Sequence, residues 1–145
     1  MEIDPRGPRF GALITTVVLV IVLVTSSAWL LAAQALVFGI GAVLGLRYAP
    51  YGLVYRHAVR PRLGPPAELE AEAPPRFAQG VGLLMAVIGV TGYATGLTPL
   101  GIAATALAVI AAFLNGAFGI CLGCEMYLLI RRIAAGRQVT GAGQS

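Results

Sequence analysis

Two long stretches without a charged side chain set the terms for this chain. Residues 10–46 lie between Arg9 and Arg47, and residues 77–124 between Arg76 and Glu125. A helix in water keeps one polar face, so runs of this kind mark segments solvated by lipid. About 20 helical residues span a hydrocarbon core roughly 30 Å thick. Each run is too long for one crossing and long enough for two. The pattern predicts an all-α membrane protein with four transmembrane helices in two hairpins, residues 9–46 and 77–133. The many Val and Ile residues do not argue for strands, because a lone span must close its own backbone hydrogen bonds as a helix.

Charge placement predicts orientation. All ten basic residues are arginine. Arg6 and Arg9 precede the first run, Arg47, Arg56, Arg60, Arg62 and Arg76 lie in the central loop, and Arg131, Arg132 and Arg137 follow the second. The turns inside the two hairpins carry no charge. The positive-inside rule then puts both termini and the central loop, residues 47–76, in the cytoplasm of a multi-pass protein of the bacterial inner membrane. Residues 1–8 form an N-terminal tail, residues 9–133 one transmembrane domain, and the small, polar residues 134–145 a disordered tail. The arginines mark topology and lipid headgroup contact, so their basicity calls for no nucleic-acid partner. The A-x-A motif Ala33-Gln34-Ala35 has the form of a signal-peptide cleavage site, but Glu2 and Asp4 precede the run and apolar sequence continues past the motif.

Local signals place the elements. Pro8 suits a first helical turn, Thr25-Ser26-Ser27 a turn with Ser27 as cap of the next helix, and Trp29 and Tyr48 the two interfaces. In residues 50–62, Tyr51, Val54, Tyr55, Ala58 and Val59 share a face opposite Arg56 and Arg60, which predicts a short cytoplasmic helix lying in the interface and ended by Pro61, Pro65 and Pro66. Glu68, Glu70 and Glu72 read as a solvated linker. The final helix is expected to start near Pro99.

Chemistry is concentrated in Cys121-Leu122-Gly123-Cys124-Glu125, which holds both cysteines of the chain. They fall at the cytoplasmic boundary, a reducing compartment that disfavours a permanent disulfide. On one helix, residues three apart share a face at roughly 5 Å, within disulfide reach. Late in a continuous helix, beside Glu125, a thiolate is disfavoured. If Gly116, Gly119 or Gly123 breaks that helix, the pair opens a new one and thiolate is favoured. The readings are a redox or sulfur-accepting dithiol, two small buried residues at a helix contact, a metal site needing His57 or a second subunit to complete its ligands, and an acylation site.

Other candidates are fewer. Gln34 and Asn115 are the polar groups within the runs, suited to bonds between helices or to a transport path. Gly41-x-x-x-Gly45 and Gly119-x-x-x-Gly123 have close-packing spacing. His57 is the lone histidine. No phosphate loop or haem or flavin signature is present, so no cofactor is expected. A weak repeat relates Pro8-Arg9-Phe10 to Pro75-Arg76-Phe77 and Phe38-Gly39-Ile40 to Phe118-Gly119-Ile120. It would make the hairpins parallel repeats, with Gly41 and Leu44 in the places of Cys121 and Cys124.

The blocks Asp4-Pro5-Arg6-Gly7-Pro8-Arg9-Phe10, Val59-Arg60-Pro61-Arg62-Leu63-Gly64-Pro65-Pro66, Pro75-Arg76-Phe77-Ala78-Gln79-Gly80 and the C-L-G-C-E block resemble an uncharacterised family of small, mostly actinobacterial four-span membrane proteins, a domain-of-unknown-function family. The resemblance covers nearly the whole chain apart from the tail. It implies an inner-membrane location, and genes near those of thioredoxin-like and sulfurtransferase proteins. It supplies no catalytic residue.

Three functions fit. Cys121 and Cys124 would exchange electrons or sulfane sulfur with a thioredoxin-like or sulfurtransferase partner, docked by Arg56, Arg60, Arg62, Arg131 and Arg132, which could equally attract a sulfur-containing anion. Alternatively, the chain is a small permease for such an anion, with the thiols and Asn115 on its path. The third is a non-catalytic membrane anchor for a soluble enzyme. Membrane lipid is the one certain neighbour in each case, and a homo-oligomer is compatible with all three.

Overall fold

The computed structural model describes residues 2–4, 6–64 and 69–144. Its fold is all-α, built on the helices α1 (Arg6–Thr25), α2 (Ala28–Gly39), α3 (Pro50–Val54), α4 (Arg60–Leu63), α5 (Ala73–Ala94), α6 (Thr98–Phe118) and α7 (Leu122–Gln144). Three of them, α1, α5 and α6, are long and apolar enough to cross a membrane. The helix begun by α2 continues as a π-helical turn, Ile40–Leu44, and the whole apolar helix Ala28–Leu44 is shorter.

The long helices close on one another in the order α1, α6, α5, α2. Leu19, Val22, Leu31, Phe38, Ala86 and Ala108 form the buried centre. Most other large apolar side chains face outward, among them Val17, Leu36, Leu107 and Ile110. Small residues bring the backbones together: a Cβ at Gly92 would lie 2.5 Å from the Gly101 nitrogen, and one at Gly89 would lie 2.6 Å from Leu31. The hydroxyls of Thr16, Thr25, Thr91, Thr95 and Thr105 each donate to a carbonyl one turn back, so these groups are satisfied within their own helices. As the sequence predicts, Ser27 caps α2: its Oγ accepts from the Leu30 N–H at 3.1 Å.

The central segment differs from its expected form. Helix runs from Pro50 to Leu63 through a second π turn, Tyr55–Val59, and passes Pro61 before ending at Gly64, φ +78°. Proline at 61 has no N–H for the His57 carbonyl and crowds it, and a widened turn relieves that clash without ending the helix. The buried face of this segment is narrower than the sequence pattern suggests. Tyr55 is buried and Tyr51 half-buried, while Val54 and Ala58 point outward. Pro65, Pro66 and Glu68 lie outside the described residues.

The linker beyond is not wholly solvated. Glu70–Ala71 forms strand β2, paired antiparallel with β1, Glu2–Ile3. Glu72 is buried and accepts the Leu46 N–H at 3.2 Å, just after Gly45 ends the π turn. Arg76, one turn into α5, donates to the carbonyls of Ala42 (3.0 Å) and Val43 (2.8 Å). A guanidinium thus caps a helix end whose carbonyls lack intrahelical partners. Helix α7 continues beyond residue 133 into the segment expected as a tail, where Ala134 and Ala135 are good helix formers.

Candidate functional site

The second apolar run does not end as one helix. After Phe118 the chain enters the left-handed region at Gly119, φ +72°, and the Gly119 N–H closes on the Asn115 carbonyl at 3.0 Å. The Ile120 N–H returns to Leu114 at 3.1 Å. This is a helix end of the glycine type. Side chains rarely adopt that conformation, and glycine does so without steric cost. In the first hairpin, Gly39 of the matching Phe-Gly-Ile tripeptide stays helical, φ −62°. The two halves therefore diverge at this step.

The consequence falls on the cysteines. Cys121 immediately precedes α7, and its carbonyl accepts the Glu125 N–H at 2.9 Å. Its Sγ accepts the Cys124 N–H at 3.2 Å, the position a serine or aspartate oxygen takes in an ordinary cap. Cys121 and Cys124, with Cα atoms 5.1 Å apart, form a disulfide. Both are half-buried.

Close packing on α5 holds this turn. A Cβ at Gly123 would stand 2.6 Å from the Cα and Cβ of Ala78, so only glycine lets α7 cross there. One turn on, the Tyr127 ring packs against Phe77 at 5.6 Å between centroids, and Arg131 lies over Tyr127 and donates to its hydroxyl at 3.3 Å. The Arg9 guanidinium sits beside Gly119, its Cζ 3.5 Å from where a Cβ would be.

This geometry places Cys121, once reduced, where a helix start stabilises a thiolate. The free N–H groups and positive dipole of a helix N-terminus stabilise a thiolate, and Arg9 adds positive charge nearby. Glu125, in the first turn and exposed, opposes them. The two sulfur atoms are already in bonding contact.

The remaining candidates are dispersed. Gln34 is 1% exposed; its Oε1 accepts from the Tyr51 hydroxyl at 2.6 Å, and its Nε2 has no partner among the described residues. Asn115 is half-buried, and its carbonyl serves the Gly119 turn. Arg56 donates to the Arg47 carbonyl and Arg60 approaches Asp4 at 3.9 Å, whereas Arg62, Arg131 and Arg132 are exposed on α4 and α7. His57 is exposed. Among the described residues, no three His, Cys, Asp or Glu side chains gather within reach of one metal ion.

A polar cluster escapes sequence reading. Arg6 pairs with Asp4 through Nε (3.1 Å) and Nη2 (3.1 Å), and the Tyr55 hydroxyl donates to the same carboxylate at 2.9 Å. Burial disfavours the charge on Asp4, but bonds from the Arg6 side chain and backbone and from Tyr55 outweigh it and hold the carboxyl below its usual value. Burial, then the neighbouring carboxylate, raises the Tyr55 hydroxyl. The residues are 51 positions apart in sequence, and no local pattern signals the contact.

No curated protein and no solved structure matches the chain. A family model described as Domain of unknown function (DUF4395) matches residues 3–132, and the chain belongs to that family.

Proposed function

We propose that this is a four-span protein of the bacterial inner membrane whose Cys121–Cys124 pair exchanges electrons or sulfane sulfur with a cytoplasmic thioredoxin-like or sulfurtransferase protein. The observation that carries the thiol reading is the break at Gly119, which gives Cys121 the cap position of α7 with the Cys124 N–H on its sulfur. The four-span reading takes the helix Ala28–Leu44 as the remaining crossing, of about 25 Å at the usual rise per residue. It is supported by the charge pattern. Arg6 bonds to the central loop at Gly64, Arg9 lies beside the α6–α7 break at Gly119, and Arg76 caps the Ile40–Leu44 π turn. The uncharged turns at residues 26–27 and 95–97 close the opposite ends of the same helices.

In the redox form of the reaction, a partner thiolate attacks one sulfur of the Cys121–Cys124 bond and forms a mixed disulfide. The partner's second thiol then displaces it. Two electrons and two protons pass from partner to pair, leaving the partner oxidised and both cysteines reduced. Exposed Arg131 and Arg132, two turns along α7, would meet an acidic partner surface beside the pair.

The test is stoichiometric. Purified oxidised protein in nanodiscs, mixed with a reduced thioredoxin, should consume two thioredoxin thiols per chain, and the Cys121→Ser/Cys124→Ser protein should consume none. Thioredoxin that stays reduced over hours, or equal consumption by the doubly substituted protein, contradicts the reading.

A further inference from the structure

A cavity of about 420 Å³ opens at the end of the bundle where the arginines gather, between α1, the end of α2, the Pro50–Leu63 segment and the start of α5. This volume is that of a small-molecule site. One wall is the Gly7, Gly11 and Thr15 face of α1, which runs about 12 Å along the helix. Tyr55 and Tyr51 lie against its two glycines, at ordinary contact distance from where a Cβ would be. Val37 and Thr15 line its inner end, where most of the surface is apolar and the Gln79 amide is a polar exception.

The charges lining the cavity do not balance. Asp4 is neutralised by Arg6 and bonded by Tyr55, and Glu72 accepts the Leu46 N–H. Arg47, Arg56 and Arg60 also line the space. None of the three is in a bidentate carboxylate pair: Arg47 lies over the Tyr48 ring, Arg56 donates to the Arg47 carbonyl, and Arg60 approaches Asp4 only at 3.9 Å. Guanidinium groups with donors to spare around an apolar depth suit an anionic head with an apolar body.

We propose that this cavity binds one small amphiphilic oxyanion, with a phosphate- or carboxylate-type head on Arg56 and Arg60 and its apolar part along the Gly11–Thr15 face towards Val37. The site is independent of the cysteines, whose turn packs on α5 at Ala78. The same head chemistry is found in free organic anions and in anionic lipid headgroups, and the experiment separates these sources.

The probe is hexyl phosphate, titrated against full-length protein in phosphatidylcholine nanodiscs while the unfolding midpoint is followed. A ligand that binds only the folded state raises the midpoint saturably, by about 2–8 °C here. Hexanol and inorganic phosphate, each carrying half of the recognition, should give smaller shifts. Arg56→Gln/Arg60→Gln should abolish the response, and so should Val37→Phe, which keeps every charge and fills the depth. In discs containing phosphatidylglycerol, a midpoint already raised, with hexyl phosphate adding nothing, identifies the ligand as a lipid headgroup. An unchanged midpoint in both disc compositions overturns the proposal. So does a shift that survives in folded Arg56→Gln/Arg60→Gln and Val37→Phe proteins alike.

Discussion

Gly123 meets the backbone of Ala78 so closely that a Cβ at 123 would stand 2.6 Å from both the Cα and the Cβ of Ala78. This contact seats the cysteine-bearing turn on α5. Gly123→Val should lower stability by about 1–3 kcal/mol, the usual cost of overpacking. It should also speed alkylation of the reduced cysteines, read by mass spectrometry before denaturation. An unchanged alkylation rate would mean that the crossing does not shield the pair.

Gly119 has the complementary role of letting α6 stop. Gly119→Ala places a side chain at φ +72°, where it costs about 1–2 kcal/mol, although the Cβ itself would meet only the Arg9 side chain at ordinary distance. The expected result is a lower unfolding midpoint that a further Arg9→Ala change does not restore, because the strain lies in the backbone.

Asp4 links the N-terminal segment to Tyr55, and its stability contribution depends on pH. Its folded-state carboxyl lies below the ordinary value of 3.8. The unfolded chain therefore takes up the proton first as pH falls. The contribution is fully present above that ordinary value and is lost as pH falls through the lower folded one. Asp4→Asn should remove this part of the acid sensitivity. Tyr55→Phe, which deletes one bond to a charged acceptor, should cost about 1.5–3 kcal/mol at neutral pH. Unfolding midpoints measured from pH 7 down to pH 3 check both.

Buried Gln34 pairs with half-buried Tyr51, and the Gln34 Nε2 stays unpartnered among the described residues. Gln34→Leu alone strands the Tyr51 hydroxyl, and Tyr51→Phe alone strands the amide. Each should destabilise by about 1–3 kcal/mol, while Gln34→Leu/Tyr51→Phe should be more stable than either single variant. Additive losses in the double variant would contradict the pairing.

These pairs show where the sequence is legible and where it is not. Uncharged runs identify the apolar helices, because lipid solvation acts on every residue of a span. Ser27 identifies its own turn, because a cap acts over three residues. The glycines around the cysteines leave a break open as one of two readings, and Gly119 supplies it. Glu72 reads as a solvated residue because its neighbours alternate, yet it is buried on Leu46, 26 positions away. The Asp4–Tyr55 and Gln34–Tyr51 bonds also join residues far apart in sequence, 51 and 17 positions. The π turns at Ile40–Leu44 and Tyr55–Val59 also escape a reading based on regular periodicity.

The most direct test of the thiol account is the state of Cys121 and Cys124 in native membranes, trapped by acid and read as a mass shift after alkylation. The account predicts a pair that moves between dithiol and disulfide or persulfide as oxidant, reductant or thiosulfate is added. A pair that holds one state throughout, and that reacts with alkylating agent only after denaturation, would contradict it and leave the cysteines as packing between α7 and α5.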